Sequence, residues 1–465
     1  MTRRAVCLVL SLVLVTGCAV GPDYKRPEVT TPDRFYGQAA ASEAKSLTDL
    51  PWFEVFGDPA LKSLIEEALA NGYDAKIAAA RVEEARARYG IARADFYPQV
   101  GYDGGYRYER LPQSVNSSGN AENRYTANIN VSWEIDIWGR VRRLSESALA
   151  SYLATDEARQ GVLLSLASDV AQAYFELLDL DAELEIANRT TASFQDTYDL
   201  FKRKLEGGAA SALETSRAEA ALASTAASIP DIERQIVAKE NQINLLLGRP
   251  PQPVPRGLAL TEQPLVPEVP AGLPSALLER RPDIRQSEQE MRAANAGVGV
   301  ATANFFPVIS LTGLFGGTST ELSDLFGADK VWSIGAGLLG PIFQGGRLKR
   351  SKEVAVAQWE QTKLAYEQAV TAAFGDVSSA LSAREKLALV KAQDQRAVSA
   401  YQEAVRLANV RYMSGFSSYF EVIDAQLQMF PAENALARAR RDELISIVSL
   451  YKALGGGWQT EPQHP

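Results

Sequence analysis

One design is written twice along this chain of 465 residues. Ala92-Arg93-Ala94-Asp95-Phe96-Tyr97-Pro98 parallels Ala301-Thr302-Ala303-Asn304-Phe305-Phe306-Pro307. Farther on, Gly139-Arg140 returns as Gly346-Arg347, Gly208 and Glu214 return as Gly415 and Glu421, and Leu247-Gly248 returns as Leu454-Gly455, each 207 residues later. A constant step over that distance marks a repeated structural unit, so whatever one half folds into, the other must fold into as well. Between the halves, residues 249–274 carry prolines 250, 251, 253, 255, 264, 267, 270 and 274. Proline lacks the backbone donor a helix needs, so this stretch reads as an extended connector. The predicted segments are a first repeat at 60–248, the connector, a second repeat at 275–455 and a tail at 456–465.

Each repeat reads as a helix, two strands, a very long helix, a turn and another long helix. From Leu163 through Leu166, Val170, Ala173, Leu177 and on to Leu205, apolar residues recur at alternating steps of three and four. That is the heptad seam of coiled-coil packing. No proline interrupts Val141 to Leu205, so one helix of roughly 90 to 100 Å is predicted at 1.5 Å per residue. The second copy, Leu348 to Tyr412, is also free of proline but has a more polar seam. Glycine can adopt the left-handed conformation that ends a helix, so the turns are placed at Gly207-Gly208 and Gly415.

Strands are predicted between the helices. Tyr125, Ala127, Ile129, Val131, Trp133, Ile135 and Ile137 alternate with Thr126, Asn128, Asn130, Ser132, Glu134 and Asp136. This period of two gives one apolar and one polar face. Val100 to Glu109, Ile309 to Phe315 and Trp332 to Leu338 are the other three strands. Each is near the ten residues that cross a bilayer. Aromatic residues flank them (Phe96, Tyr97, Trp133, Trp138, Phe305, Phe306, Trp332, Phe343), as at a membrane interface. The loops at 111–123 and 316–329 are long and polar, as extracellular loops are. A soluble sheet with one face on a core is the plainer alternative. Four strands cannot close a barrel, and an open sheet edge in lipid leaves backbone groups unpaired. Copies must therefore join. Two would give eight strands around a filled interior. Three would give twelve strands and a water-filled lumen, which the charges Asp103, Arg107, Glu109, Glu134 and Asp136 favour.

The N-terminus carries Arg3 and Arg4 before an apolar run from Ala5 to Val15, too short to span a membrane stably. It reads as a signal peptide at 1–17. Val15-Thr16-Gly17-Cys18 resembles a lipobox, making Cys18 the lipidated first residue of the mature chain and 18–59 an anchor and arm; an ordinary signal peptide with a chance cysteine is the alternative. Residue 19 is alanine, so the aspartate that retains lipoproteins in the inner membrane is absent. The single histidine, His464, and two cysteines build no disulfide framework, metal cluster or histidine-based triad. A net charge of −9 argues against nucleic acid as a partner. Gly335 to Gly340 fits a dinucleotide-binding glycine pattern, but Pro341 follows where a helix must start, so those glycines are assigned to a strand. Arg140, Arg142 and Arg143, and again Arg347, Lys349 and Arg350, open the two long helices. Positive charge is unfavourable there, which suggests an outside partner such as anionic groups at the membrane interface; a solvated surface is the equal alternative.

Several blocks are specific in combination. Cys18 is followed by Gly21-Pro22-Asp23-Tyr24 and Pro27. Then come WFEVFGDP at 52–59, EIDIWGR at 134–140, LLERRPDI at 277–284, GPIFQGGR at 340–347 and RYMSGFSSYFEVIDAQ at 411–426. Together they resemble the TolC/OprM-like outer-membrane efflux proteins, over essentially the whole mature chain. The resemblance implies a mixed fold of α-helices and transmembrane β-strands. It implies a homotrimer with a twelve-stranded β-barrel continued by a twelve-helix tunnel, located in the Gram-negative outer membrane and lipid-anchored through Cys18. It further implies a passive exit duct for drugs and other small toxic compounds, joined through a periplasmic adaptor to an inner-membrane RND-type pump. The tips at Gly207, Gly208 and Gly415 would meet the adaptor, and the periplasmic gate would comprise Arg411, Tyr412, Phe420, Glu421 and Asp424. Arg411 would tie neighbouring hairpins through a carboxylate, and Ser417 stands where some relatives carry arginine. No enzyme activity, cofactor or metal is implied beyond the lipid on Cys18. A duct for type I protein secretion or for metal ions remains an alternative within the class, although only four methionines occur. A periplasmic coiled-coil scaffold without a pore is a further one; it leaves the alternating strands unexplained.

Overall fold

The computed structural model describes residues 19–36, 57–110, 112, 114, 119–264, 274–327 and 330–456. Cys18, the signal peptide, residues 37–56 and His464 lie outside them. In the first repeat come, in order, helices α1 (Pro59–Asn71) and α2 (Tyr73–Ala94), strands β1 (Gln99–Arg110) and β2 (Ala121–Ile135), and helices α3 (Arg140–Glu206), α4 (Ala212–Ala226) and α5 (Ser228–Leu246). The second repeat gives α6 (Pro274–Arg280), α7 (Pro282–Ala303), β3 (Val308–Ser319), β4 (Lys330–Leu339), α8 (Arg347–Met413) and α9 (Phe420–Ala453). The duplication holds at the level of element ends. α2 and α7, like β1 and β3, start and stop 209 residues apart, and α3 and α8 do so 207 apart, each 67 residues long.

The described residues form two compact units, each drawing on both repeats. The first takes residues up to Glu28, Arg81–Asp156 and Gln286–Glu367; the second takes Val29–Ala80, Glu157–Arg285 and the residues from Gln368 on.

The first unit holds an antiparallel meander in the order β1-β2-β3-β4. Its register aligns Tyr102 with Ile129, Ile129 with Phe315 and Phe315 with Trp332, so apolar residues share one face across all four strands. Polar residues and glycines share the other. There Asn128 and Asn130 donate to Asp103, each at 3.1 Å, and Arg124 pairs with Glu109 at 3.1 Å. The ladders run beyond the alternating cores read from sequence, reaching Glu109–Glu122 and Ser319–Tyr125. Backbone pairing carries on past the apolar band, which shortens both predicted loops.

The cations at the start of α3 find their partners inside the chain rather than at the membrane interface. Arg140 makes a two-pronged bond to Glu134 (2.9 and 2.7 Å). Asp136 is no inner-face charge; it caps α3 by accepting from the backbone of Val141 and Arg142 at 2.9 and 2.8 Å, and it pairs with the Arg142 side chain. A carboxylate at that point offsets the unfavourable positive charge. Arg143 reaches Asp23 and Glu146.

In the second unit the heptad seam of α3 is largely buried, from Leu166 through Val170, Ala173 and Leu177 to Phe194 and Phe201. Tyr174, Phe175 and Leu177 are fully buried, and each such side chain contributes about 2–3 kcal/mol. Asp58 caps α1 by accepting from Ala60 and Leu61, and it also takes bonds from Tyr174 (3.0 Å), Gln263 (2.6 Å) and the backbone of Leu258 (3.2 Å). Burial raises its pKa, but these five donors outweigh burial and hold the carboxyl below its ordinary value. The return helix of the first repeat is broken at Ala227, whereas α9 is continuous. Pro230 lacks the N–H that would bond Ala226 across the break; α9 carries its proline at Pro431, inside the helix.

Candidate functional site at the hairpin tips

The second unit contains both helical turns. Each closes in the same way. After α3, Gly208 has φ of +75°; its N–H bonds Leu205 at 3.0 Å, and the Ala209 N–H bonds Lys204 at 2.7 Å. After α8, Gly415 has φ of +77°; its N–H bonds Tyr412 at 2.9 Å, and the Phe416 N–H bonds Arg411 at 2.9 Å. A paired 6→1 and 5→2 closure around a left-handed residue is the Schellman motif, and it demands glycine at that point. The next helix of the first repeat begins with a capping box. The Ser211 side chain accepts from the Glu214 N–H while Glu214 takes the Ser211 N–H, which holds the Glu214 carboxyl below its usual range.

Beneath the turns lies an apolar cluster of Phe194, Phe201, Ala218, Ala221, Ala408, Tyr419, Val422 and Ile423. Tyr419 is its polar–apolar pivot. Its ring meets Phe201 at 4.9 Å and Tyr412 at 4.8 Å, and its hydroxyl shares a 2.9 Å hydrogen bond with Thr197. Lys204 donates to the Tyr412 hydroxyl at 2.5 Å and lies 5.1 Å from the Tyr412 ring centre and 5.6 Å from that of Phe201. Thus the end of α8 and the start of α9 are both fastened to α3. Farther along, α9 is tied to α3 by Arg189–Glu433, Arg438–Glu183 and Arg441–Asp179, at 2.7, 2.7 and 2.5 Å.

The five predicted gate residues flank the second of these turns, at the end of α8 and the start of α9. Arg411 pairs with Glu421 of its own hairpin at 3.1 Å; the short turn brings the two within reach. Arg217 covers the Phe420 ring at 4.8 Å. Glu421 and Asp424 are both exposed, and Asp424 has no hydrogen bond or ion pair among the described residues. The Ser417 hydroxyl is buried without a partner among them. Sequence reasoning missed Thr197, Lys204 and Arg217, which reach their partners only through long-range packing. It also passed over Tyr419, although Tyr419 lies within the quoted block at 411–426.

A model of the family described as Outer membrane efflux protein matches residues 64–249 and again 273–456, one match per repeat. The chain belongs to the outer membrane efflux protein family. It is an efflux channel component of the Gram-negative outer membrane, like its relatives. A toluene efflux pump outer membrane protein of Pseudomonas putida, TtgC, is 36% identical over 467 residues, spanning 98% of this chain and 96% of the relative. The cation efflux system protein CusC of Escherichia coli is 34% identical, spanning 97% and 98%. The structure of the open state of the Neisseria gonorrhoeae MtrE outer membrane channel superposes with a TM-score of 0.86 at 34% identity, covering 95% of this chain and 98% of that one.

Proposed function

We propose that three copies of this efflux protein form a twelve-stranded barrel continued by a twelve-helix tunnel, a passive exit duct for antibiotics, solvents and other small toxic compounds. One observation carries the reading. The four-stranded sheet has both outer strands unpaired within the chain, an apolar face exposed at Tyr102, Ile129, Trp332 and Ile334, and a polar face opposite. Strands β1 and β4 run antiparallel to each other, so copies placed side by side continue the antiparallel pattern until the wall closes. Closure removes the edges that lipid cannot satisfy.

The repeats at 60–248 and 275–455 each supply half of a copy's wall, joined in sequence by the connector at 249–274. A lipid on Cys18 anchors the chain beside the strand–helix junction. The Val20 N–H bonds the Trp138 carbonyl at 3.0 Å and the Asn295 side chain bonds the Pro22 carbonyl at 3.0 Å, which pins the arm there. The tips at Gly207, Gly208 and Gly415 face a periplasmic adaptor, and through it an RND-type pump in the inner membrane. Arg411, Tyr412, Phe420, Glu421 and Asp424 form the gate, with the exposed carboxylates of Glu421 and Asp424 repeated around the axis to attract cations.

In planar bilayers the purified protein should give stepwise, cation-preferring currents, and deleting its gene should sensitise the host to antibiotics and toluene. Absence of conductance contradicts the duct. Sensitisation to copper or silver alone, or loss of a secreted protein without drug sensitivity, points to the metal-ion or type I secretion reading instead.

A further inference from the structure

The connection between β3 and β4 does not stand clear of the sheet. Its short 3-10 turn, Leu322–Asp324, is closed by the Asp324 N–H donating to Glu321 at 3.2 Å and the Gly327 N–H to Asp324 at 2.9 Å. The turn lies against Gly317 of β3. A Cβ built on Gly317 would collide with the Leu325 carbonyl oxygen, and the Leu325 side chain is buried. Gly317 pairs with Ala127 on one side and Lys330 on the other, two residues from Phe315 and Trp332. Side chains two apart on a strand share a face, so the turn covers the apolar face of the sheet and not the polar one. Lys330 secures it by donating from Nζ to the Phe326 carbonyl at 3.1 Å.

Leu322 and Phe326 of this turn are 63% and 78% exposed. Residues three apart eclipse in a 3-10 turn, so Leu322 lies over Leu325, on the side turned to the apolar face, while Ser323 and Asp324 take the other side. The fold of the turn thus sets its large apolar side chains at the rim of the apolar face. Trp332 lies on that face two residues farther in, about 7 Å along the strand. Amphipathic rings at such a height mark the border between hydrocarbon and headgroups. Among the described residues the Lys330 ammonium uses one of its three donors within the turn, which leaves two for lipid phosphates. The surface is therefore continuous with the lipid-facing wall and carries the charge that anionic headgroups require.

We infer that the turn at 320–327 is a membrane-surface anchor, with Leu322 and Phe326 entering the outer leaflet beside the wall and Lys330 meeting its phosphate groups. The inference rests on the lipid-facing wall proposed above, and the controls separate the two. Full-length protein carrying Phe326→Cys is spin-labelled and reconstituted in vesicles of phosphatidylethanolamine, phosphatidylglycerol and lipopolysaccharide. Collisions of the label with oxygen, which concentrates in lipid, are compared with those of a water-soluble nickel chelate. Asp324→Cys reports the polar side of the turn, Ile334→Cys the wall and Ser333→Cys the polar face of the sheet. Cys7 and Cys18 are the only native cysteines, so the unsubstituted protein taken through the same labelling gives the background. The oxygen-to-nickel ratio at 326 is expected about fivefold above that at 324 and below that at 334, as for a group resting at the headgroup boundary. Equal, water-like ratios at 326 and 324, with a lipid-like ratio at 334, overturn the anchor. So does a label at 326 that neither reagent reaches, which puts protein over the turn. A ratio at 334 no higher than at 333 overturns the wall and the anchor with it. Gly317→Val supplies a second measurement. Its side chain displaces Leu325, so the ratio at 326 should fall to that at 324 while the ratio at 334 holds; an unchanged ratio at 326 overturns the seat on Gly317.

Discussion

Helices α3 and α8 have the same length and the same place in their repeats, yet their surroundings differ. α3 buries a broad band of side chains around Tyr174 and Phe175 and leaves only Leu153 and Leu205 as exposed large apolar residues among those described. α8 buries a narrow stripe, Tyr366, Val370, Ala373 and Val377, and exposes Val354, Leu364, Leu389, Leu407 and Val410. The sheets follow suit. β2 and β3 are paired on both sides, while β4 is exposed along its whole length. The inner strands and α3 complete more of their contacts within the chain, and the outer strands β1 and β4, with α8, leave more of theirs unfinished.

Substitutions at four places break or sharpen that contrast. The largest effect is expected in β4. Ile334→Arg places a charge on the face assigned to lipid, at about 2–4 kcal/mol per copy near the bilayer midplane, while Ser333→Arg, one residue away, faces water. Immunoblots of outer membranes should show a tenfold or greater loss of trimer for the first and near-normal amounts for the second. Equal loss would mean the two faces are not lipid and lumen.

Next is Asp58, which ties the start of α1 and Tyr174 to Leu258 and Gln263 of the connector. Asp58→Ala strands several buried donors and should cost about 3 kcal/mol, read as a lower midpoint of unfolding in denaturant. Because the folded carboxyl is held below its ordinary value, its contribution is complete above about pH 4 and is lost as pH falls further.

Asp179 behaves oppositely. Burial outweighs the nearby Arg441 and pushes its carboxyl up to about 6 from an ordinary 3.8. The folded state then holds more protons than the unfolded one between those values, so this group's contribution declines as pH rises from about 4 to 6, by at most about 1.4 kcal/mol per unit. Unfolding of Asp179→Asn against the native protein should show the variant gaining relative stability over that window and no further change above it. A gap that is flat with pH would refute the assignment.

The smallest effect is at the tip. Tyr412→Phe removes the bond from Lys204 at a cost of about 1 kcal/mol; Leu205, the counterpart of Tyr412 in the first repeat, is exposed and makes no such tie. Single-channel current should rise for Tyr412→Phe and for Asp424→Ala, and stay at the native level for Leu205→Ala. Unchanged current in both tip variants would remove them from the gate.

What could be read in advance follows from the range of the forces involved. Period-two and heptad patterns are local, so the strand faces and the two long helices were legible to within a few residues of their ends. The cap on α3 was not. Asp136 continues the alternation of β2 by one step and so resembled a lumen charge, until the turn made its carboxylate face the helix start. The break at Ala227 was equally hidden, since Pro230 and Pro431 look alike in sequence and differ in outcome. At the tip, Gly208 and Gly415 declare themselves by conformation, but Lys204 and Thr197 meet Tyr412 and Tyr419 across more than two hundred residues of chain.

The central claim is that one chain supplies a third of a closed wall. Native mass spectrometry of the protein extracted from outer membranes in mild detergent tests it most directly. A dominant species of three chains is expected; a protein that is monomeric, yet folded and conducting, would contradict the closed wall.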